Sequence, residues 1–153
     1  MKEMDKNSNR GFEHLYYTTQ GRAPSYANAF AAGLDLSVKT EEALVLSPGA
    51  HQTIHTGLSC ALPRGYFGLI AIRSGLGSRG LVLSNALGII DEDYRGEIRI
   101  PLFNHGEETI RLENGERIAQ MILIPYIQPI LEEVDQLEET ERGKEGFGSS
   151  GRF

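Results

Sequence analysis

The chain has 153 residues, of which 40% are hydrophobic, and a formal net charge of −6 at pH 7. This length suits one domain with a proper core, and the acidic balance excludes a general affinity for nucleic acid, which needs a basic stripe. The single cysteine, Cys60, excludes an internal disulfide, and no apolar run is long enough to span a membrane.

In chain order the sequence divides into three zones. Residues 1–22 are polar and predict a loose leader, residues 23–137 predict a β domain, and residues 138–153 predict a flexible glycine-rich arm. The middle zone predicts strands because its apolar runs are short and bounded by turn formers. These runs are GLDLSV (33–38), ALVL (43–46), QTIHTGLSCAL (52–62), GYFGLIAI (65–72), GLVLSNALGII (80–90), GEIRIPLF (96–103), ETIRL (108–112) and RIAQMILIPYI (117–127).

The spacing of these runs predicts an all-β fold, a sandwich or jelly roll, since long segments of helical period are absent. Residues 132–142 (EEVDQLEETER) could hold a helical turn or two. Residues 84–104 predict a hairpin whose apolar arms flank the acidic tip DEDYRG (91–96). Such a tip is often only a polar turn, so its function depends on the rest of the chain.

Several familiar patterns are set aside. GLGSRG (75–80) matches a dinucleotide-binding fingerprint by letter, but a strand-like run follows it where a helix is required. HQTIH (51–55) has the histidine spacing of a helical zinc site but lacks the glutamate and lies in a strand-like context. Cys60 lies in an apolar alternation that favours a small buried hydrophobe over a nucleophile. We expect a cytoplasmic protein, with a nuclear location also open.

Five stretches carry unusual side chains, and their order and spacing resemble the family of homotrimeric dUTP pyrophosphatases (dUTPases). They are AAGLDLS (31–37), RSGLGSRG (73–80), NALGIIDEDYRGEI (85–98), NGERIAQMIL (114–123) and RGKEGFGSSG (142–151). The resemblance implies a jelly-roll-like β fold, active sites shared between the subunits of a trimer, and hydrolysis of dUTP to dUMP and pyrophosphate. Such an activity limits uracil incorporation into DNA and supplies dUMP for dTMP synthesis.

The substrate that the resemblance implies carries about four negative charges, so positioning and charge neutralisation should dominate catalysis. Arg73, Ser74 and Gly75 supply a guanidinium, a hydroxyl and an unhindered N–H within three residues, which suits phosphate oxygens. By resemblance Gln120 adds an amide donor at the phosphate end. By resemblance Asp91 is the base that activates the water attacking the α-phosphorus.

Selectivity is also carried over from the family. Tyr94 is expected to pack its ring under the deoxyribose, so that a ribose 2′-OH finds neither space nor a hydrogen-bond partner. Uracil is expected to be recognised by backbone groups of the hairpin arms. The positions that match are Asn85, Ile89, Ile90 and the main chain of Arg99.

The resemblance implies Mg²⁺ as the cofactor. The substrate's phosphate oxygens and water can supply all of its ligands, so no direct protein ligand is predicted. Asp35 is predicted to be structural, or to contact the water shell of the metal indirectly. Arg117 is assigned to a structural ion pair.

The glycine-rich arm is expected to close over the substrate as a lid. Its residues in the family positions are Arg142, Phe147, Gly148, Ser149 and Ser150. Two alternatives of the same fold stay open: a dCTP deaminase-type enzyme, and a non-catalytic nucleotide-binding regulatory module. A deaminase would release ammonia from dCTP, and a regulatory module would release nothing from dUTP.

Overall fold

Short strands provide nearly all the regular structure of the computed structural model, which describes residues 14–140 and residue 143. In chain order the elements are β1 (Tyr16–Thr19), β2 (Ser25–Tyr26), β3 (Leu34–Ser37), β4 (Leu44–Leu46), β5 (His51–His55), β6 (Leu58–Ala61), β7 (Tyr66–Ile72), α1 (Ser74–Gly77), β8 (Leu81–Leu83), β9 (Gly88–Ile90), β10 (Arg99–Asn104), β11 (Ile110–Leu112) and β12 (Arg117–Pro125). Among these residues, no helix is long and apolar enough to cross a membrane.

The strands form antiparallel sheets, which confirms the predicted all-β, jelly-roll-like fold. The largest sheet has five strands in the order β2-β3-β12-β7-β9, and a second has three in the order β5-β10-β8. Two further pairs, β1-β6 and β11-β4, complete the set. The centre of the large sheet is the β7–β12 pair, in register from Ala119 opposite Ile72 to Pro125 opposite Tyr66.

The core forms where the strands turn alternate side chains inward. In β10, for example, Ile100, Leu102 and Asn104 are buried while their neighbours are not, as expected for a period of two. Apolar side chains from all the sheets meet there, among them Leu36, Leu46, Ile54, Ile70, Leu81, Leu112 and Ile118. Cys60 is buried in the same core and burial raises its thiol pKa, which agrees with its assignment as a small hydrophobe.

Some predicted boundaries differ from those observed. Tyr16–Thr19, assigned from sequence to the leader, form β1 and pair with β6, since aromatic and β-branched residues suit a strand. QTIHTGLSCAL divides into β5 and β6 because Gly57 takes a φ of 69°, a conformation in which a strand cannot continue. Residues 126–140 contain no helix, so the helical turns considered for residues 132–142 are absent from the part of that segment that is described.

The predicted hairpin over residues 84–104 is wrong. β9 pairs with β7, and β10 pairs with β5 and β8, so the two arms belong to different sheets. The acidic residues therefore lie in a loop between sheets rather than at the tip of a paired hairpin. Alternating apolar residues predicted both strands correctly, but they carry no information about which neighbour a strand chooses.

Candidate active site

A surface cleft of about 480 Å³ opens beside the loop of residues 91–98, which connects β9 to β10. It is lined by Ile89, Ile90, Asp91, Tyr94, Gly96, Glu97 and Arg99. The structure thus brings together the predicted base, the predicted deoxyribose contact and three of the predicted base-reading positions. Asn85, the fourth, lies between β8 and β9 and is not among the residues that line this cleft.

The Tyr94 ring is held in place from within the loop. Its hydroxyl donates a hydrogen bond of 3.0 Å to the Glu97 carbonyl oxygen. A Cβ at Gly96 would overlap the Tyr94 phenol, so the absence of a side chain at Gly96 gives the ring its space. The Tyr94 N–H also donates to the Asp91 carbonyl oxygen at 3.1 Å. This turn fixes the phenol relative to the carboxylate that precedes it.

The cleft also exposes backbone hydrogen-bonding groups. β9 is the last strand of its sheet, so one edge of its backbone faces no partner strand within the described residues. β8 pairs with β10 only from Leu102 onward, which leaves Arg99 and Ile100 without a strand neighbour on that side. Because the two strands belong to different sheets, their open edges are available to a planar polar ligand.

The Glu97 carboxylate, which lines the cleft, connects the loop to neighbouring strands. It accepts hydrogen bonds from the Gly57 N–H at 2.9 Å and from Arg99 Nε at 3.1 Å, and His55 Nδ1 lies 2.9 Å away. Partial burial acts to raise the pKa of Glu97, but the hydrogen bonds from His55, Gly57 and Arg99 outweigh it and lower the pKa to about 2. Glu97 is therefore a charged anchor between β10 and the β5–β6 turn.

Replacing Glu97 with Gln is expected to lower the free energy of unfolding at pH 7 by about 1 to 2 kcal/mol, because the neutral amide holds its donors less strongly. Since the folded pKa is about 2 and the ordinary value is 4.5, this stabilisation is present above pH 4.5. It is lost as the pH falls through about 2. Denaturant unfolding of both proteins across that range measures it, and a difference that grows toward low pH would contradict the assignment.

A second group of predicted residues surrounds the buried carboxylate of Asp35, on β3 of the large sheet. Arg117 Nη1 lies 2.9 Å from Asp35 Oδ2 and Arg73 Nη1 lies 3.3 Å from Asp35 Oδ1. The structural ion pair assigned to Arg117 is confirmed. Asp35 is 6% exposed, so both of its oxygens are used to hold the two guanidinium groups, one of which belongs to the predicted phosphate-binding run.

Gln120, Ser74 and Gly75 lie at the same end of the sheet. Gln120 is opposite Asp35 in the β3–β12 register, and a Cβ at Gly33 would overlap its side-chain amide. The glycine of AAGLDLS therefore gives the Gln120 amide its space. Ser74 and Gly75 open α1, directly after Arg73, and both are exposed. We call these residues, together with Arg73, the Arg73 cluster: Arg73, Ser74, Gly75 and Gln120.

The cleft and the Arg73 cluster are far apart within one chain. Ile90, next to Asp91, pairs with Gly68 of β7, whereas Arg73 follows the last residue of that strand. At about 3.3 Å per residue, Gly68 and Arg73 are separated by about 17 Å. Asp91 continues away from Arg73, because β9 runs antiparallel to β7. One chain thus does not bring the predicted base to the predicted phosphate-binding residues.

Glu92 lies half-buried in the turn that follows Asp91, and it makes contacts that the sequence did not predict. Its carboxylate accepts hydrogen bonds from Gly65 and Tyr126. The residues around Glu92 carry no signal for these two hydrogen bonds, because Gly65 and Tyr126 are distant in sequence.

The predicted residues of the C-terminal arm lie outside the described residues. They are Arg142, Phe147, Gly148, Ser149 and Ser150.

The part of the chain from residue 14 to residue 140 contains no group of three or more His, Cys, Asp or Glu side chains placed to hold a metal ion. Asp35, the one residue predicted near a metal, is occupied by Arg73 and Arg117. The described side chains therefore do not form a direct Mg²⁺ site of their own.

Comparison with known proteins is consistent with this geometry. The family model described as dUTPase matches residues 19–151. A protein of Acinetobacter baumannii named deoxyuridine 5′-triphosphate nucleotidohydrolase is 47% identical over 131 residues, which cover 84% of this chain and 87% of that protein. A protein of the same name from Alcanivorax borkumensis is 44% identical with the same coverage.

Solved structures show the same similarity in three dimensions. The dUTPase of Staphylococcus bacteriophage 80alpha, solved with dUPNHPP, superposes with a TM-score of 0.83 at 30% identity. The match covers 92% of this chain and 99% of that chain. A G164S mutant of the same phage protein, also with dUpNHpp, gives a TM-score of 0.82.

Proposed function

The chain belongs to the dUTPase family, and on that premise we propose that it hydrolyses dUTP to dUMP and pyrophosphate with Asp91 as the base. Its matched relatives carry the name of that activity. The observation that supports the assignment of Asp91 is its position in one cleft with Tyr94 and the open backbone edges of β9 and β10. A carboxylate there can accept a proton beside a bound nucleotide.

In the proposed reaction, the Asp91 carboxylate takes a proton from water as the water oxygen bonds to the α-phosphorus. The bond from the α-phosphorus to the bridging oxygen breaks, and pyrophosphate leaves with the electron pair. Arg73, Ser74, Gly75 and Gln120 hold the phosphate oxygens and neutralise their charge. Mg²⁺ is proposed as the cofactor on the substrate's own phosphates, where it supplies further charge neutralisation.

The distance between Asp91 and Arg73 supports a site completed by another copy of the chain. A triphosphate held by Arg73 cannot place its α-phosphorus beside Asp91 of the same chain when about 17 Å of strand separates the two regions. We therefore propose a homotrimer in which one subunit contributes Asp91 and Tyr94 to a site while another subunit contributes the Arg73 cluster. Light scattering that gave the mass of a single 16.9 kDa chain would contradict this assembly.

The function is tested by incubating the protein with Mg²⁺ and each of dUTP, dCTP, dTTP and UTP. We expect pyrophosphate from dUTP and far less from the other three. Release of ammonia from dCTP would establish a deaminase instead. Binding of dUTP without pyrophosphate release would establish a regulatory module.

Replacing Tyr94 with Ala is expected to lower the preference for dUTP over UTP, in kcat/KM, by about tenfold or more. The ring occupies the space that a 2′-OH needs, and alanine opens that space. Tyr94→Phe is the matched control: it keeps the ring and loses only the hydrogen bond to the Glu97 carbonyl oxygen. Phe should retain most of the preference; if Phe and Ala relaxed it equally, the steric explanation would be wrong.

A further inference from the structure

The direction in which the chain leaves β9 decides where Asp91 lies. Pairing with β7 ends at Ile90, opposite Gly68. Because β10 belongs to another sheet, no hydrogen-bond ladder from that strand holds the loop after Ile90. Hydrogen bonds of the Arg95 guanidinium to the Glu92 and Tyr94 carbonyl oxygens lie within the loop. They shape the loop but do not attach it to the sheet.

The Glu92 side chain makes that attachment. Its Oε2 atom accepts a hydrogen bond of 2.6 Å from the Gly65 N–H and one of 3.1 Å from the Tyr126 hydroxyl. Gly65 immediately precedes β7 and Tyr126 immediately follows β12. These two residues are themselves joined, because the Tyr126 N–H donates to the Gly65 carbonyl oxygen at 3.0 Å.

The point of attachment is the end of the β7–β12 pair, which has the longest register among the described strands. β7 and β12 pair continuously up to Tyr66 and Pro125, the residues next to Gly65 and Tyr126. The carboxylate of Glu92 is well suited to this contact. Its hydrogen bonds lower the pKa of Glu92, the one from the Gly65 N–H more than the one from the Tyr126 hydroxyl. The same hydrogen bond to Glu92 raises the pKa of Tyr126. Glu92 is therefore ionised and Tyr126 is a neutral donor at neutral pH.

This contact lies away from the cleft that contains Tyr94. A second cleft, of about 630 Å³, shares Ile89 and Asp91 with the Tyr94 cleft and is otherwise lined by Phe67, Glu92, Asp93, Tyr126 and Gln128. Glu92 is absent from the lining of the Tyr94 cleft. Its loss would thus remove no side chain from the lining of the Tyr94 cleft, but it would release the start of the loop, next to Asp91, from the ends of β7 and β12.

We propose that Glu92 is a positioning residue for Asp91, clamping the 91–98 loop to the ends of β7 and β12 through Gly65 and Tyr126. The inference rests on the proposed role of Asp91 as base. Adjacent Cα atoms are only 3.8 Å apart across a trans peptide, so a shift at Glu92 moves Asp91 with it. A displacement of about 1 Å at a reacting group can reduce the rate by about 10²-fold.

The test compares Glu92→Ala with Glu92→Gln and with the control Asp93→Ala. Asp93 is in the same loop and is exposed, and its side chain makes no hydrogen bond to the described residues. We expect Glu92→Ala to lower kcat on dUTP by about 10- to 100-fold, with KM changed by less than about threefold. Glu92→Gln keeps an acceptor oxygen and should recover most of the rate, and Asp93→Ala should match the wild type.

Amide hydrogen exchange at Gly65 gives a readout that is independent of activity. The Gly65 N–H should exchange faster in Glu92→Ala and remain slow in Asp93→Ala, while the thermal midpoints of both variants stay near that of the wild type. Tyr126→Phe should have a smaller effect, and adding it to Glu92→Ala should cost nothing further, because both act through one contact.

The outcomes separate the two proposals. An active wild-type enzyme whose kcat is unchanged by Glu92→Ala would overturn the clamp and leave the function intact. Equal losses in Glu92→Ala and Asp93→Ala would also overturn it, because the effect would then follow loop charge. A wild-type protein that released no pyrophosphate from dUTP would contradict the proposed function itself, and the exchange at Gly65 would still report the contact.

Discussion

Asp91→Asn is expected to lower kcat on dUTP by about 10³-fold or more while the protein still binds the nucleotide. Asparagine has the same shape as aspartate and cannot accept the proton of the attacking water, and general-base assistance is worth about 10²- to 10⁴-fold. Asp91 lines the cleft together with Tyr94, so the loss should appear in turnover rather than in affinity. Pyrophosphate release at saturating dUTP and a separate binding titration measure the two quantities.

The matched control for this substitution is Asp93→Asn, which removes the same charge two residues further along the chain. The Asp93 side chain makes no hydrogen bond to the described residues. Asp93→Asn should keep nearly all the activity. If Asp91→Asn kept activity within about tenfold of the wild type, a different group would have to activate the water, and the account of the cleft would be wrong.

Removal of residues 142–153 is expected to lower kcat by about 10²-fold or more, with the remaining protein folded and assembled. The positions in this segment that match the family supply one guanidinium, two serine hydroxyls and one aromatic ring, from Arg142, Ser149, Ser150 and Phe147. Ordering about ten residues costs at least ~10 kcal/mol, and stacking one ring on a base returns only about 1–3 kcal/mol. If the segment closes over the substrate as the sequence predicts, donors to the triphosphate must therefore provide most of the stabilisation.

A shorter deletion controls for the general effect of truncation. Removing only Arg152 and Phe153 leaves RGKEGFGSSG intact and should leave kcat close to that of the full chain. Single variants then divide the contribution: Phe147→Ala removes the ring, and Arg142→Ala removes the charge. Near-normal turnover after removal of all twelve residues would show that the segment has no part in the reaction.

The strands were predictable because each depends on a short run of apolar residues between turn formers. β3, β7, β11 and β12 lie within the predicted runs. Pairing partners were not predictable in the same way. The run from residue 84 to residue 104 resembles a hairpin in its sequence, but whether two successive strands pair depends on which sheet buries each one.

The site could be predicted where the chemistry lies in one stretch of sequence. Asp91 and Tyr94 are close in the chain and share a cleft, and Arg117 does form the ion pair assigned to it. The hydrogen bonds of Glu92 to Gly65 and Tyr126 join residues 27 and 34 positions apart. No local pattern encodes them, because they arise only when β7 and β12 are paired. The separation of Asp91 from Arg73 likewise appears only when β9 is placed beside β7.

Subunit mixing most directly tests whether the site is built by two copies of the chain. Chains carrying Asp91→Asn and chains carrying Arg73→Ala are co-expressed with different tags, and mixed assemblies are purified and assayed for pyrophosphate release from dUTP. Each variant alone should be nearly inactive. If the base and the Arg73 cluster of one site come from different subunits, every mixed trimer contains one complete site of three, so the purified mixed assemblies should have about a third of the wild-type activity. Activity no greater than the sum of the two separate variants would show that each site lies within one chain and would contradict the account.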